Sequence, residues 1–255
     1  MSPSKSGNDY ARSLSLLWGS QTVPGRSGLT VQKIVAAGMD MADENGIEQL
    51  SMRKVAERLE VGAMSLYTYV PGKSELLELM LDKSQANLYA CDDIRAECGG
   101  DWREAMRFIA KTNWTLFGKH PWITELSGRR PVFGPHIVLK YEMELSALDG
   151  IGLSDIEMDS TLSLLLMHVE SCARLQTSMN RTQKTSGIDD NEWWLEYSTA
   201  MENMADWSRF PVSSRVGNAA GELHQSAYSP EHAYQFGLER IIAGTAALIG
   251  RSEPR

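Results

Sequence analysis

Residues 51–73, SMRKVAERLEVGAMSLYTYVPGK, have the pattern of two short helices joined by a tight turn. Ser51 is a good N-cap for the first helix, whose apolar residues recur at helical spacing. Gly62 lies in the turn, and Ala63–Tyr69 is predicted to form a second helix of about two turns. Pro71 stops that helix, because proline disfavours helical backbone in the residue before it. Two short helices around a glycine-containing turn predict a helix-turn-helix.

The second helix of this motif is the candidate DNA-reading element. In a helix-turn-helix it enters the major groove N-terminus first, while the first helix crosses the phosphate backbone. Leu66 and Val70 are expected to face the core, which leaves small, polar and aromatic side chains for base edges. Donors and positive charge around the helix would contact phosphates. The candidate DNA contacts are Thr30, Arg53, Ala63, Met64, Ser65, Tyr67, Thr68, Tyr69 and Lys73.

Further helices flank the motif on both sides. A helix is predicted from the N-cap Thr30 to Asn45, and Gly46 stops it. A connecting helix is predicted over 73–90, so residues 29–90 form an N-terminal three-helix unit with its connector. Residues 1–28, rich in Ser and Gly, are predicted to be a flexible arm.

A larger helical region is predicted over residues 100–250, after the Gly99-Gly100 pair. Alternating strand patterns are absent, so the predicted class is all-α. Residues 182–189 and 211–225 are predicted to be irregular. The predicted helices are 101–117, a short one at 120–122, 135–149, 154–179, 190–206 and 230–249.

Composition narrows the functional classes. No apolar run approaches the roughly 20 residues that a membrane span needs, and no apolar signal segment opens the chain. We therefore expect a cytoplasmic protein without a membrane partner. The net charge of −8 is uneven, since residues 1–73 carry eight Lys and Arg against seven Asp and Glu. An acidic body behind a near-neutral head suits a protein that touches DNA through one small surface.

Catalytic and metal-binding patterns are weak. Spacing alone leaves the function open, because helix-turn-helix geometry also occurs in enzymes and bundle proteins. The chain has no GxSxG, P-loop, GxGxxG or HExxH motif, which disfavours an enzyme. His168 and Cys172 are four residues apart, but no third or fourth ligand is evident. We expect neither a metal nor a cofactor, and ordinary thiols at the three cysteines, which lack CxxC spacing.

A family resemblance adds to this pattern. Residues 30–83, with ADENGIEQLSMRKVA at 42–56 and LYTYVPGK at 66–73, resemble the DNA-binding domain of the TetR family of bacterial regulators. The resemblance implies that all the candidate DNA contacts named above except Thr30 take the family's DNA-contacting positions. Ala63 departs from the glutamine that the resemblance leads one to expect, so a bidentate adenine contact is lost and the operator should differ.

The second region resembles the tetracycline-repressor-like C-terminal subgroup of that family. The similar segments are KHPW at 119–122, RRPVFGP at 129–135 and LSALDGIGLS at 145–154. The resemblance implies a ligand-binding domain that forms a homodimer through residues 155–178 and 230–249. Gly237, Ala243, Gly244 and Ala247 would allow close helix approach, although the same stripes also suit an intrachain core.

The resemblance implies a repressor that a small apolar or aromatic molecule releases from a palindromic operator in double-stranded DNA. A regulator that answers to a protein partner, or to no ligand, is the alternative. Ligand pockets are mostly apolar with a few polar groups. The candidate ligand contacts are Trp114, Phe117, Trp122, Phe133, His136, Met143, Met167, His168, Glu170, Arg174, Trp193 and Trp194.

Overall fold

A computed structural model of the chain describes residues 7–19, 28–126, 128, 130–202, 204 and 206–250. Over these ranges the fold is entirely helical, with no strand, as the sequence predicts. Within the same ranges, no helix is both long enough and apolar enough to cross a membrane. The α-helices are α1 (Gly7–Trp18), α2 (Val31–Asn45), α3 (Met52–Arg58), α4 (Ala63–Tyr69), α5 (Lys73–Ser84), α6 (Ile94–Glu97), α7 (Trp102–Lys119), α8 (Pro135–Ser146), α9 (Asp155–Ser186), α10 (Asp190–Glu202), α11 (Pro211–His224) and α12 (Pro230–Ile249).

The N-terminal unit is held by caps and by a small apolar core. Thr30 Oγ1 accepts a hydrogen bond from the backbone N–H of Lys33 at 3.2 Å, and Ser51 caps α3 in the same way. Gly46 ends α2 with φ at +79°, a backbone conformation that favours glycine. Leu66 and Val70 are fully buried, as predicted, so α4 is anchored along one face.

The connecting helix α5 ends at Ser84, six residues before the predicted end at residue 90. The backbone turns there, and Asn87 adopts a φ of +55°. Asparagine tolerates this left-handed conformation better than most residues, but a helix cannot continue through it. The apolar residues that suggest a longer helix include Leu88, which packs against the core from the turn.

The N-terminal arm predicted over residues 1–28 is wrong for residues 7–18, which form α1. Residues 1–6 and 20–27 of that prediction lie outside the described residues. The helix packs on α5, and Leu16 and Leu17 contact the core. Trp18 Nε1 donates a hydrogen bond to the carbonyl of Phe133 at 2.8 Å. The serines of this segment favour a loop prediction, but tertiary contacts stabilise a helix there.

The C-terminal domain is built on α9, which packs against both α7 and α12. Ser154 and Glu157 form a capping box at its start, and Gly187 ends it with φ at +73°. The helix has 32 residues. It is therefore about 48 Å long. The helix continues to Ser186, so the predicted end at Met179 is wrong, and the predicted loop at 182–189 is wrong as far as Ser186. The last turns of the helix are polar and carry no apolar stripe, so the sequence pattern does not indicate a helix there.

Further predicted boundaries also differ from the structure. The sequence predicts irregular backbone over 211–225, but 211–224 form α11 with a proline in its first turn. The helices predicted over 190–206 and 135–149 end at Glu202 and Ser146. Gly221 lets α11 approach the ring of Trp194, which a Cβ at that position would contact at 2.7 Å.

A buried polar cluster joins the segment after α5 to α7 and α8. The carboxylate of Glu144 accepts hydrogen bonds from the Tyr89 hydroxyl, from Asn113 Nδ2 at 2.9 Å and from Lys140 Nζ at 2.7 Å. Burial, followed by the nearby Glu144 charge, raises the pKa of Tyr89 far above its usual range, so its hydroxyl remains a donor. A fully buried carboxylate is tolerated only when it is paired in this way.

Gly237 permits the close packing of α12 on α9 within one chain. A Cβ at this position would overlap the ring of His168, whose Nε2 lies 3.1 Å from the Tyr234 carbonyl. The sequence predicts that Gly237 allows approach between subunits, but its backbone faces α9 of its own chain. Gly244, by contrast, has open space around it.

We expect Gly237→Ala to lower the free energy of unfolding by about 1 kcal/mol, because overpacking against His168 outweighs the gain in helix propensity. Gly217 is the matched control, since it lies within α11 and a Cβ at that position would meet nothing within 4 Å. Gly217→Ala should instead raise stability by about 0.5–1 kcal/mol. Urea denaturation at one protein concentration measures both, and two changes of the same sign would contradict this packing.

Candidate DNA interface and interdomain clefts

The exposed face of α4 is the candidate DNA interface. Met64 is 80 % exposed and Tyr67 is 43 % exposed, while Ser65 and Thr68 are also open to solvent. Because Leu66 and Val70 anchor the opposite face, these four side chains point away from the core. The face combines an apolar thioether, a phenol ring and two hydroxyl groups, which suit contacts to base edges and phosphates.

Three other candidate DNA contacts play structural parts. Ala63 and Tyr69 are half-buried and pack against the core, so they present only part of their surface to solvent. Thr30 caps the start of α2 through its hydroxyl.

Positive charge near α4 comes from α3 and from the start of α5. The Arg53 side chain is 85 % exposed, and its Nε lies 2.8 Å from the Glu57 carboxylate. Such an exposed ion pair contributes little stability, so Arg53 can exchange this partner for a phosphate. Lys73 Nζ donates to the Ile47 carbonyl at 3.1 Å, which ties α5 to the turn after α2.

The twelve candidate ligand contacts do not converge on one cavity. Four of them are exposed, and two of these four, Met167 and Arg174, lie on the outer side of α9. Phe117, by contrast, is buried in the core. The rest are spread over clefts, helix packing sites and half-buried positions. The exposed four are Phe133, Met167, Arg174 and Trp193; Trp114 and Trp122 line one cleft and His136 another; Trp194 packs on Gly221 and His168 at Gly237; Met143 and Glu170 are half-buried.

Two clefts lie between the N-terminal unit and the C-terminal domain. The first, called the α9 cleft, has a volume of about 540 Å³ and lies between the end of α2 and the helices α7 and α9. Trp114, Trp122 and Arg181 are among its lining residues. The second, called the α1 cleft, has a volume of about 630 Å³ and lies among α1, α2, α5 and the start of α8.

Asp43 of α2 forms the first polar link between the two domains. Its carboxylate lies 2.8 Å from His120 Nδ1 and accepts a hydrogen bond from Trp122 Nε1 at 2.7 Å. Asp43 lines both clefts, so this link separates them. Sequence reasoning missed it, although Asp43 and His120 both stand inside the segments that resemble the family.

Asp82 of α5 forms the second polar link, at the N-terminus of α8. Its Oδ1 accepts hydrogen bonds from the backbone N–H groups of His136 and Ile137, both at 3.0 Å, and its Oδ2 lies 2.7 Å from His136 Nδ1. Asp82 is 4 % exposed. A Cβ on Gly134 would overlap this carboxylate, so only glycine fits there. A residue of the connecting helix thus caps a helix of the C-terminal domain.

The His168–Cys172 pair has the geometry of helix neighbours. His168 Nδ1 lies 3.9 Å from Cys172 Sγ. Burial raises the pKa of Cys172, which keeps it a thiol at neutral pH. Among the residues that the structure describes, no group of three or more His, Cys, Asp or Glu is placed to hold a metal ion.

An exposed second helix on a helix-turn-helix, joined through α5 to a larger helical domain with clefts, defines a DNA-binding regulator. Two family models match the chain. "Bacterial regulatory proteins, tetR family" matches residues 34–80, and "Tetracyclin repressor-like, C-terminal domain" matches residues 96–249. The chain therefore belongs to the TetR family of transcriptional regulators and is not an enzyme, which confirms the resemblance in its motifs.

Named relatives and solved structures agree with this assignment. The HTH-type transcriptional repressor DrrR1 of Streptomyces coeruleorubidus is 34 % identical over 95 % of this chain and 88 % of its own. An HTH-type transcriptional regulator of Saccharopolyspora erythraea is 37 % identical over 50 % of this chain and 53 % of its own. The Streptomyces coelicolor TetR family protein ActR, in complex with actinorhodin, is 26 % identical, covers 88 % of this chain and 99 % of its own, and superposes with a TM-score of 0.72.

We expect Asp82→Ala to lower the free energy of unfolding by about 2 kcal/mol, because the cap of α8 and the histidine partner are both lost. Asp82→Asn keeps an oxygen for the two backbone N–H groups and should lose only about half as much. Lys83→Ala, at the exposed neighbouring position, is the control. Urea denaturation measures all three, and an Asp82→Ala loss no larger than the control would rule out this cap as a link.

Proposed function

We propose that the protein is a ligand-responsive repressor, a homodimer that binds a palindromic operator through α4 and leaves it when a small, largely apolar or aromatic molecule binds. The exposed face of α4, formed by Met64, Ser65, Tyr67 and Thr68 on a firmly anchored helix, is the observation that carries this proposal. DNA readout needs such a rigid, accessible helix.

Each candidate DNA contact has a proposed role. Met64, Ser65 and Thr68 face base edges, with Ala63 and the accessible part of Tyr69 beside them. Arg53 and Tyr67 contact phosphates from the two helices of the motif. Thr30 and Lys73 help to position the interface, since each makes a hydrogen bond that holds the start of a helix in place.

The outer face of α9 and α12 supports the homodimer. On α9 a row of apolar side chains is exposed, with Ile156 at 76 %, Leu164 at 51 % and Met167 at 62 %. On α12 Phe236 is 59 % exposed, and Ala243, Gly244 and Ala247 form an open surface of small residues about two to three turns further on. Pairing of this face with a second copy, over 155–178 and 230–249, would bury it in a four-helix bundle.

Ligand control is supported by the clefts and by the links beside them. Both clefts fall within the roughly 300–1,000 Å³ typical of small-molecule sites. Each is bounded by both domains, so a bound molecule would contact the DNA-binding unit and the C-terminal domain together. A ligand that prefers one relative position of the domains changes operator affinity, typically about 5–150-fold. Such cavities favour ligand control over control by a protein partner.

Two substitutions on the helix-turn-helix should have different effects on operator binding. Arg53→Ala should weaken binding to all DNA sequences alike and lower the salt dependence by about one unit, because one phosphate contact is lost. Ser65→Ala should instead change the preference among operator variants, by about 1–3 kcal/mol at the affected base pair. Fluorescence anisotropy on promoter fragments of the protein's own locus, at several salt concentrations, measures both.

Arg215→Ala, on α11 of the C-terminal domain, is the matched control for loss of an arginine. It should leave operator affinity within about twofold of wild type. If Arg53→Ala and Ser65→Ala both behave like this control, α4 is not the DNA-reading helix. If the wild-type protein binds no promoter fragment, the proposed function fails.

We expect Met167→Glu to shift the homodimer towards monomer, because a charge would be buried at the centre of the proposed bundle. The dimer dissociation constant should rise at least about tenfold, as measured by sedimentation. Leu139→Glu is the matched control, since Leu139 is 57 % exposed on α8, outside the proposed face. An equal effect of both substitutions, or of neither, would place the subunit interface elsewhere.

A further inference from the structure

The α1 cleft contains the two aspartate–histidine links between the domains. Asp43 with His120, and Asp82 with His136, are all among its lining residues. The two aspartates belong to the DNA-binding unit, and the two histidines belong to the C-terminal domain. Any molecule in this cleft therefore lies beside the hydrogen bonds that hold the domains together.

The two histidines bind their aspartates in the same way, each through Nδ1. An ionised aspartate can only accept hydrogen bonds, so Nδ1 of each ring must carry the proton. In the neutral ring this leaves Nε2 as an acceptor. Neither Nε2 has a hydrogen-bond partner among the residues that the structure describes. A hydroxyl group is the donor that such a nitrogen would take.

The remaining wall of the α1 cleft is largely apolar. Leu16, Leu17 and Trp18 of α1 form one side, and residues of α2 and α5, including Met39 and Leu79, form the other. The hydrogen bond from Trp18 Nε1 to the Phe133 carbonyl holds the end of α1 against the segment before α8. The charged side chains around the cavity, apart from the two linking aspartates, are Asp40, Lys83 and Lys119.

We propose that the α1 cleft binds an aromatic compound that carries hydroxyl groups. Its rings lie against the apolar side chains of α1 and α2, and its hydroxyl groups donate to Nε2 of His120 and His136. The proposal rests on the proposed function, because it names the class and the place of the effector. The compound contacts both domains, so its affinity depends on their relative position, and operator binding changes in return.

Isothermal titration of the full-length protein with 2,6-dihydroxynaphthalene, and with naphthalene as the matched probe without hydroxyl groups, tests this site. We expect the diol to bind at least about tenfold more tightly, because only the diol satisfies the histidine acceptors. Ala36 and Gln32 are exposed residues of α2 that line the cleft, so a tryptophan there fills the cavity without disturbing the core. Ala36→Trp and Gln32→Trp should each weaken the diol at least about tenfold.

Gly118→Phe is the control, because it fills the α9 cleft at a position with open space around it. It should leave diol affinity within about twofold of wild type. Equal binding of the two probes, or diol binding that survives both tryptophan variants, overturns the proposal. Operator binding is measured on the same samples, so a wrong site in a protein that binds its operator is distinguished from a failure of the proposed function.

Discussion

Two aspartates of the DNA-binding unit join it to the rest of the molecule, and the relative position of the two domains depends on them. Asp43 accepts from His120 and Trp122, and Asp82 caps α8 through two backbone N–H groups. Charge-assisted hydrogen bonds are short and directional, so they fix the relative orientation of the groups that they join. Both carboxylates also line the α1 cleft, so a molecule bound there would lie beside the groups that attach the domains.

The DNA-facing side of the molecule depends on a different constraint. Leu66 and Val70 are buried completely, and their burial leaves the other side of α4 open. Because a helix of seven residues has little stability of its own, packing and not propensity holds it in place. The helix packs on α3, which packs on α2, and α2 and α5 of the same unit carry the two aspartates.

Much of this arrangement is predictable from local sequence. The caps Thr30, Ser51 and Ser154, and the glycines after α2 and after residue 98, predict where helices begin and end. The apolar spacing around α4 predicts which side faces the core. The errors fall where residues typical of loops are frequent: α1 and α11 each contain Gly, Ser and Asn, and the end of α9 is polar. Contacts with other helices stabilise these segments: α1 packs on α5, and Gly221 of α11 packs on the ring of Trp194.

The sequence by itself determined the all-helical class, the helix-turn-helix and the exposed face of its second helix. These follow from periodicity, caps and turn residues, which act over a few neighbouring positions. Only the tertiary structure decided which aspartate meets which histidine, where the clefts lie and why Gly134 and Gly237 must be glycine. Residues far apart in the chain meet there, as Asp82 meets His136, and local pattern carries no information about such distant pairs.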